Sequence, residues 1–243
     1  MIILGLETAT KVCGVALADD DRVLVELSTS GRLTHSQRLL PMVEQALRES
    51  GLDRCQLDGI AVSAGPGSFT GLRIGMATAK GLGYALDRPV LAVPTLDALA
   101  LNGWAWSGLV CPLLDARRNQ VYAAVYRGAD GGRDPRRLGG YWALELAALL
   151  DHLCAFDEPI LFLGDAGARF GPEIRARLGG KASFAPLSSA FPRAAGVAEI
   201  GLRLLAAGHR PTAAEARPVY VRPSEAEIRA GRPAGRAITD GSR

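Results

Sequence analysis

Histidine, cysteine and aromatic residues are all scarce in this chain, and each scarcity removes a class of function. The 243 residues include 3 His and 4 Cys, and aromatics make up 6%. Cys13, Cys55, Cys111 and Cys154 lie far apart, with no C-x-x-C and a single histidine, His152, near one of them. Neither a zinc site nor a disulfide framework is indicated, and a cytoplasmic, reducing compartment is expected. His35, His152 and His209 stand in no triad-like context, which leaves covalent serine chemistry unsupported. No apolar run approaches the ~18 residues of a membrane span. The opening "MIILGLET" has no basic leader and meets Glu7 early, so it reads as a buried strand rather than a signal peptide. Charge of one sign is also missing: 28 Lys and Arg against 25 Asp and Glu give a net +3, spread without blocks. That balance makes no case for nucleic acid.

What is present is apolar content of 48% and 29 glycines, enough for one large core or two modest ones. "IILGL", "CGVALA" and "VLVELS" read as an antiparallel meander joined by the polar turns "ETATK" and "DDDR". Leu39, Leu40, Val43, Ala46 and Leu47 then recur at helical spacing before Gly51. A strand "GIAVSAG", a helix over 70–86, a strand "PVLAVPT" and a helix "LDALALNGWA" complete the order βββαβαβα. From 109 the order restarts: "LVCPLLDAR", "VYAAVYRG" and "GGYWALE" as strands, "LAALLDHL" as a helix, "PILFLGDAG" as a strand and "PEIRARL" as a helix. Aligning "LGLETATKVCGVAL" with "PLLDARRNQVYAAVY" places Glu7 over Asp115, which suggests an internal duplication. A further helix "PRAAGVAEIGLRLLAAG" and a strand "ARPVYVR" precede an Arg-, Gly-, Pro- and Ala-rich tail.

"SAGPGSFTGLRIGMATAKGLG" is the most distinctive stretch. It is not a Walker A loop, since Gly67 and Gly71 are one residue too close and Leu72 and Arg73 follow. It is not a Rossmann fingerprint, since Thr70 replaces the third glycine, nor a nucleophile elbow around Ser68. Gly71, Gly75, Ala79 and Gly83 recur every four residues and form a nearly bare stripe along a helix. Such a stripe either packs on the protein's own sheet or receives a second protein. The expectation adopted is a docking surface, flanked by Leu72, Met76 and Leu82 and by Leu39, Leu40, Val43 and Leu47 of the preceding helix.

The runs "LGLETATKVCGVAL", "HSQRLLP", "VSAGPGSFTGLRIG" and "LLDARRNQVYAAVY" resemble the TsaB (YeaZ) family of bacterial tRNA threonylcarbamoyladenosine synthesis. The resemblance implies an α/β fold of two tandem actin-like (RNase H-like) βββαβα domains, the second smaller and degenerate. Residues 1–105, completed by 192–222, would form the first domain and 106–191 the second, with 223–243 as a flexible tail. It further implies a subunit without catalytic residues of its own, paired with the sister protein TsaD and served by the ATPase TsaE. The assembled complex would place threonylcarbamoyl on adenosine 37 of tRNAs reading codons beginning with A. Helices over 36–49 and 70–86 would form the interface, which would self-associate as a homodimer when the partner is absent. Superfamily relatives hold ATP at two hairpin turns and a glycine-bearing adenosine motif, which maps here onto Glu7, Thr8, Asp115 and Gly164. The turns "ETATK" and "DARRN" depart from that pattern, so ATP and metal are expected on the partner subunits and no cofactor on this chain. TsaD's metal-binding H-x-x-x-H corresponds to Thr95 and Leu99, which cannot chelate. The rival reading is an autonomous ATPase or kinase; a peptidase reading finds no nucleophile, metal set or triad.

Overall fold

The apolar alternation of "IILGLE" sends Leu4 and Leu6 to one face and Ile3 and Gly5 to the other, and the first sheet grows around that strand. The structure, a computed structural model, describes residues 1–128, 135–219 and 221. In it β1 (Ile2–Glu7), β2 (Cys13–Asp19), β3 (Val23–Thr29), β4 (Gly59–Gly65) and β5 (Val90–Pro94) stand in the order β3-β2-β1-β4-β5. The first three strands form the expected meander; β4 and β5 add in parallel. Parallel addition needs a crossover helix for each strand. These are α1 (His35–Ser50) and α2 (Phe69–Leu86), packed side by side over Leu4, Leu6, Val15, Leu17, Ile60 and Val62. A capping box of Thr34 and Gln37 starts α1, and Gly51 at φ 69° ends it. Ser68 caps α2 by accepting from the Gly71 N–H at 3.3 Å. Helix α3 (Thr95–Ala100) follows β5.

The second sheet repeats the first. With β6 (Leu109–Arg117), β7 (Gln120–Ala123), β8 (Tyr126–Arg127), β9 (Arg136–Arg137), β10 (Trp142–Glu145), β11 (Ile160–Leu163) and β12 (Ala182–Phe184), its main path runs β10-β7-β6-β11-β12. Reading β6 as β1, β7 as β2 and β10 as β3 gives the same order and the same parallel and antiparallel pairings. Its helices are α4 (Leu146–Cys154) and α5 (Ala166–Leu178), over a core centred on Leu113, Val121, Leu149, Ile160, Phe162 and Ile174. The chain then returns to the first sheet as α6 (Ala194–Ala206), which covers the face opposite α1 and α2. Small residues allow this close approach: a Cβ on Gly5 would lie 2.5 Å from the Ala194 carbonyl oxygen, and one on Gly201 2.5 Å from Ala61 Cβ.

The described residues divide into a unit of Met1–Ala98 with Pro192–Val219 and a second unit within Leu99–Phe191. The first boundary therefore falls before the expected residue 105. Asn102 explains the shift, since its amide donates to the Ser189 and Phe191 carbonyls and anchors 99–105 within the second unit. The helix expected over 96–105 is accordingly short, α3 giving way to a 3-10 turn at Leu101–Gly103. "PEIRARL" is only the end of α5, which begins at Ala166; Gly167, Gly171 and Pro172 mask its first half from a propensity reading. "VYAAVYRG" is split between β7 and β8, and β12 was not foreseen. In "ARPVYVR" residues 216–219 are not a strand, although the Val219 N–H reaches the Ala64 carbonyl at 2.7 Å. The tail expected over 223–243 lies outside the described residues.

Candidate functional site

The bare stripe of α2 faces inward. A Cβ on Gly71 would stand 2.0 Å from the Thr8 carbonyl oxygen, one on Gly75 2.2 Å from Thr8 Oγ1, and one on Gly83 2.3 Å from Val90 Cγ2. Ala79 is fully buried, and Leu72 and Met76 are buried beside it. The expectation that this ridge receives another subunit is therefore corrected: glycine is needed there so that α2 can lie against the β1–β2 turn and β5. Leu39 and Val43 of α1 are likewise core residues. Of the expected docking set, Leu40 is exposed and Leu47 and Leu82 are half-buried. The outward side of α2 carries Ala77, Gly81, Tyr84 and Ala85, with Tyr84 87% exposed and nothing within 4 Å of a Cβ on Gly81.

The first hairpin turn lies under α2. Glu7 and Thr8 are fully buried, the Ser68 N–H donates to the Ala9 carbonyl at 2.7 Å, and the Thr8 N–H donates to Ser63 Oγ at 3.2 Å. Glu7 Oε1 accepts from the Ala9 N–H at 2.6 Å, while Glu7 Oε2 and Thr8 Oγ1 have no partner. Burial drives the Glu7 carboxyl up to about 8 against the opposing pull of hydrogen bonds from Ala9, Ser63 and Thr10, so at neutral pH it is mostly a neutral acid. A neutral carboxyl under a helix does not fit the metal-and-phosphate role assigned to Glu7 and Thr8. His35, unassigned from sequence, pins the N-terminus of α1 to this turn through its Nε2 and the Thr10 carbonyl, 2.9 Å apart.

The equivalent turn in the second unit is also engaged. Arg169 of α5 pairs with Asp115 at 2.9 Å and donates to Asn119 Oδ1 at 3.2 Å. Asp115 also accepts from the Arg117 N–H at 2.7 Å, and its own N–H donates to Asp165. Arg117, Arg118 and Asn119 all have positive φ, between 52° and 64°, in a two-residue hairpin of the kind that ordinarily selects Asn-Gly. Gly164, at φ 109°, sits so close to β6 that a Cβ would meet the Leu113 carbonyl at 2.1 Å. The Arg169 guanidinium is thus the cation that Asp115 meets, and Gly164 serves strand packing. Neither turn, taken by itself, fits a nucleotide. Arg169 is the residue sequence reading missed, and its only signal was its position one turn into a helix that itself went half unrecognised.

Comparison with known proteins decides the family. The tRNA threonylcarbamoyladenosine biosynthesis protein TsaB of Bacillus subtilis (strain 168) is 35% identical over 229 residues, 94% of this chain and 97% of the relative. The chain belongs to the TsaB (YeaZ) family. YeaZ from Pseudomonas aeruginosa superposes with a TM-score of 0.73 at 30% identity, covering 90% of this chain and 100% of that one. The component A structure of (R)-2-hydroxyglutaryl-CoA dehydratase from Acidaminococcus fermentans matches at a TM-score of 0.52 and 9% identity, over 85% of this chain and 99% of that one, a likeness of fold alone. The family model described as TsaD: tRNA N6-adenosine threonylcarbamoyltransferase matches residues 29–150. The expected fold, two tandem actin-like α/β domains, is the one observed. Its TsaB relatives are named as proteins of tRNA threonylcarbamoyladenosine biosynthesis.

Within the TsaB frame, the two positions that the resemblance set against a metal-binding pair, Thr95 and Leu99, have structural work. Thr95 is fully buried, with Oγ1 accepting from the Gly65 N–H at 3.1 Å, and Leu99 is fully buried. Among the described residues no cluster of His, Cys, Asp or Glu could hold a metal ion, and no helix is long and apolar enough to cross a membrane.

Proposed function

We propose that this chain is the non-catalytic partner of a TsaD-type subunit in the complex that transfers threonylcarbamoyl to adenosine 37 of tRNAs reading codons beginning with A. A TsaE-type ATPase acts on the assembled complex. The observation that carries the reading is the outward surface of α1 and α2, where Leu40, near the start of α1, is 49% exposed and Tyr84, in the last turn of α2, is 87% exposed one turn from the open Gly81. Large apolar side chains exposed on two adjacent helices are costly to leave in water, and a helical partner surface removes that cost. The same face pairs two copies of this chain when the partner is absent. ATP and metal belong to the partner subunits in this reading, because the first hairpin turn of this chain lies buried under α2 and the carboxylate of the second pairs with Arg169. The rival reading, an autonomous ATPase, has no free turn to work with.

The test mixes the full chain with the TsaD-type protein of the same genome and follows co-elution and tRNA threonylcarbamoylation. Leu40→Arg with Tyr84→Arg, both at exposed positions, is expected to leave the fold intact and to abolish co-elution and modification. Full pairing by that variant, or tRNA modification by the wild-type chain alone, overturns the reading.

A further inference from the structure

The chain has two asparagines, Asn102 and Asn119, and Asn102 is the one followed by a glycine. It lies in the 3-10 turn at Leu101–Gly103, just after α3, and its side chain reaches partners 87 and 89 residues away in sequence. Its amide nitrogen has two hydrogens and spends both, one on the Ser189 carbonyl at 3.1 Å and one on the Phe191 carbonyl at 2.8 Å. With two acceptors facing it, the amide can point only one way. Residues 101–103 follow α3, and Ser189–Phe191 precede Pro192 and α6. One side chain therefore ties the segment that enters the second unit to the segment that leaves it. The tied segment has little else to hold it. Leu187 is 89% exposed, and the Ser189 and Ala190 N–H groups bond only locally, to the Pro186 carbonyl at 2.9 Å and the Leu187 carbonyl at 3.4 Å.

We infer that Asn102 is a deamidation site and that its conversion is a one-way release of this tie. The chemistry needs only water. The Gly103 backbone nitrogen attacks the Asn102 side-chain Cγ and forms a C–N bond. The bond from Cγ to the side-chain nitrogen breaks, and ammonia leaves with the Gly103 N–H proton. Water then opens the cyclic imide at either carbonyl and yields aspartate or isoaspartate. Glycine favours the attack, because no Cβ shields its nitrogen. The product inverts the contact. A carboxylate has no hydrogen to donate, so a charged oxygen would stand 2.8 Å to 3.1 Å from two carbonyl oxygens, acceptor against acceptor. The native fold restrains the step. The Trp104 N–H bonds to the Leu101 carbonyl at 3.1 Å and the Trp106 N–H to the Gly103 carbonyl at 3.0 Å, and a Cβ on Gly103 would come within 2.8 Å of Val110. Conversion therefore runs through local opening, and each conversion makes that opening permanent. Asn119 is more exposed but precedes Gln120, which makes it the internal comparison. None of this depends on the partner proposed above.

The test incubates the full chain at mildly alkaline pH, folded and in urea, and follows the change from amide to acid at Asn102 and Asn119 by peptide mapping and mass spectrometry. In urea Asn102 is expected to convert ahead of Asn119. In the folded chain its conversion is expected to be at least about tenfold slower than in urea, because only the opened fraction reacts. Hydrogen exchange then reads the tie in the aged protein and in Asn102→Asp. The Ser189 and Ala190 amides are expected to exchange at least about tenfold faster than in the parent, while amides of α2 keep the parent rate. Asn102→Ala, which loses the donors without gaining a charge, is expected to fall between the parent and Asn102→Asp. If Asn102→Asp does not fold, the aged wild-type chain supplies the same product in a molecule that folded first. Unchanged exchange at Ser189 and Ala190 after conversion overturns the inference. So does conversion in the folded chain as fast as in urea, or no conversion of Asn102 in either.

Discussion

Adding one methyl group at different points along α2 separates an inward from an outward role for its glycines. Alanine stabilises a helix interior by about 1 kcal/mol over glycine, so in an open position Gly→Ala strengthens the protein. Gly81 is such a position, with nothing within 4 Å of a Cβ, and Gly81→Ala is expected to add about 0.5 to 1 kcal/mol. At Gly71 the same methyl would sit 2.0 Å from the Thr8 carbonyl oxygen. That atom is backbone and cannot rotate away. Shifting α2 instead would stretch the Ser68 N–H bond to Ala9, which is 2.7 Å long. Overpacking of this kind costs about 1 to 3 kcal/mol, and contact with main chain places it at the upper end. After the helix gain is subtracted, Gly71→Ala is expected to destabilise by about 2 kcal/mol. Urea unfolding followed by far-UV circular dichroism measures both variants. Tryptophan emission is the wrong probe, because Trp104, Trp106 and Trp142 all lie in the second unit. If Gly71→Ala is as stable as the parent or more so, the packing of α2 on the turn is refuted and the stripe again becomes a candidate docking surface.

Much of the fold was legible because it depends on patterns local in sequence. Alternating apolar residues gave the meander, helical spacing gave α1 and α2, and the repeat of that order gave the second domain, now mirrored in two sheets of identical strand order. The direction in which α2 faces was not legible. Its glycine stripe carries no side-chain information about what it meets, and only the position of Thr8 above Gly71 and Gly75 shows that the ridge points inward. Arg169 was missed for a related reason: its partners Asp115 and Asn119 are about fifty residues away in sequence.

Thr95→Val removes the acceptor for the buried Gly65 N–H and is expected to destabilise by about 1 to 3 kcal/mol, read by the same urea assay. Arg169→Met breaks a half-exposed ion pair. It is expected to cost less than about 1 kcal/mol while raising amide hydrogen exchange in the β6–β7 hairpin, measured by mass spectrometry. Glu7→Gln tests the sealed first turn. Folding raises the Glu7 carboxyl from 4.5 to about 8, so the folded state holds its proton where the unfolded state has released it. The stability tied to this group is fully present below pH 4.5 and is lost progressively as pH rises toward 8. At 1.36 kcal/mol per pH unit the interval amounts to about 5 kcal/mol. Glutamine keeps the acceptor for the Ala9 N–H but cannot ionise. The variant is therefore expected to gain relative to the parent throughout about pH 5 to 8, with the difference levelling above 8. Parallel stability curves for parent and variant across that range would mean that Glu7 is ionised in the folded protein, and that the turn beneath α2 is open to water.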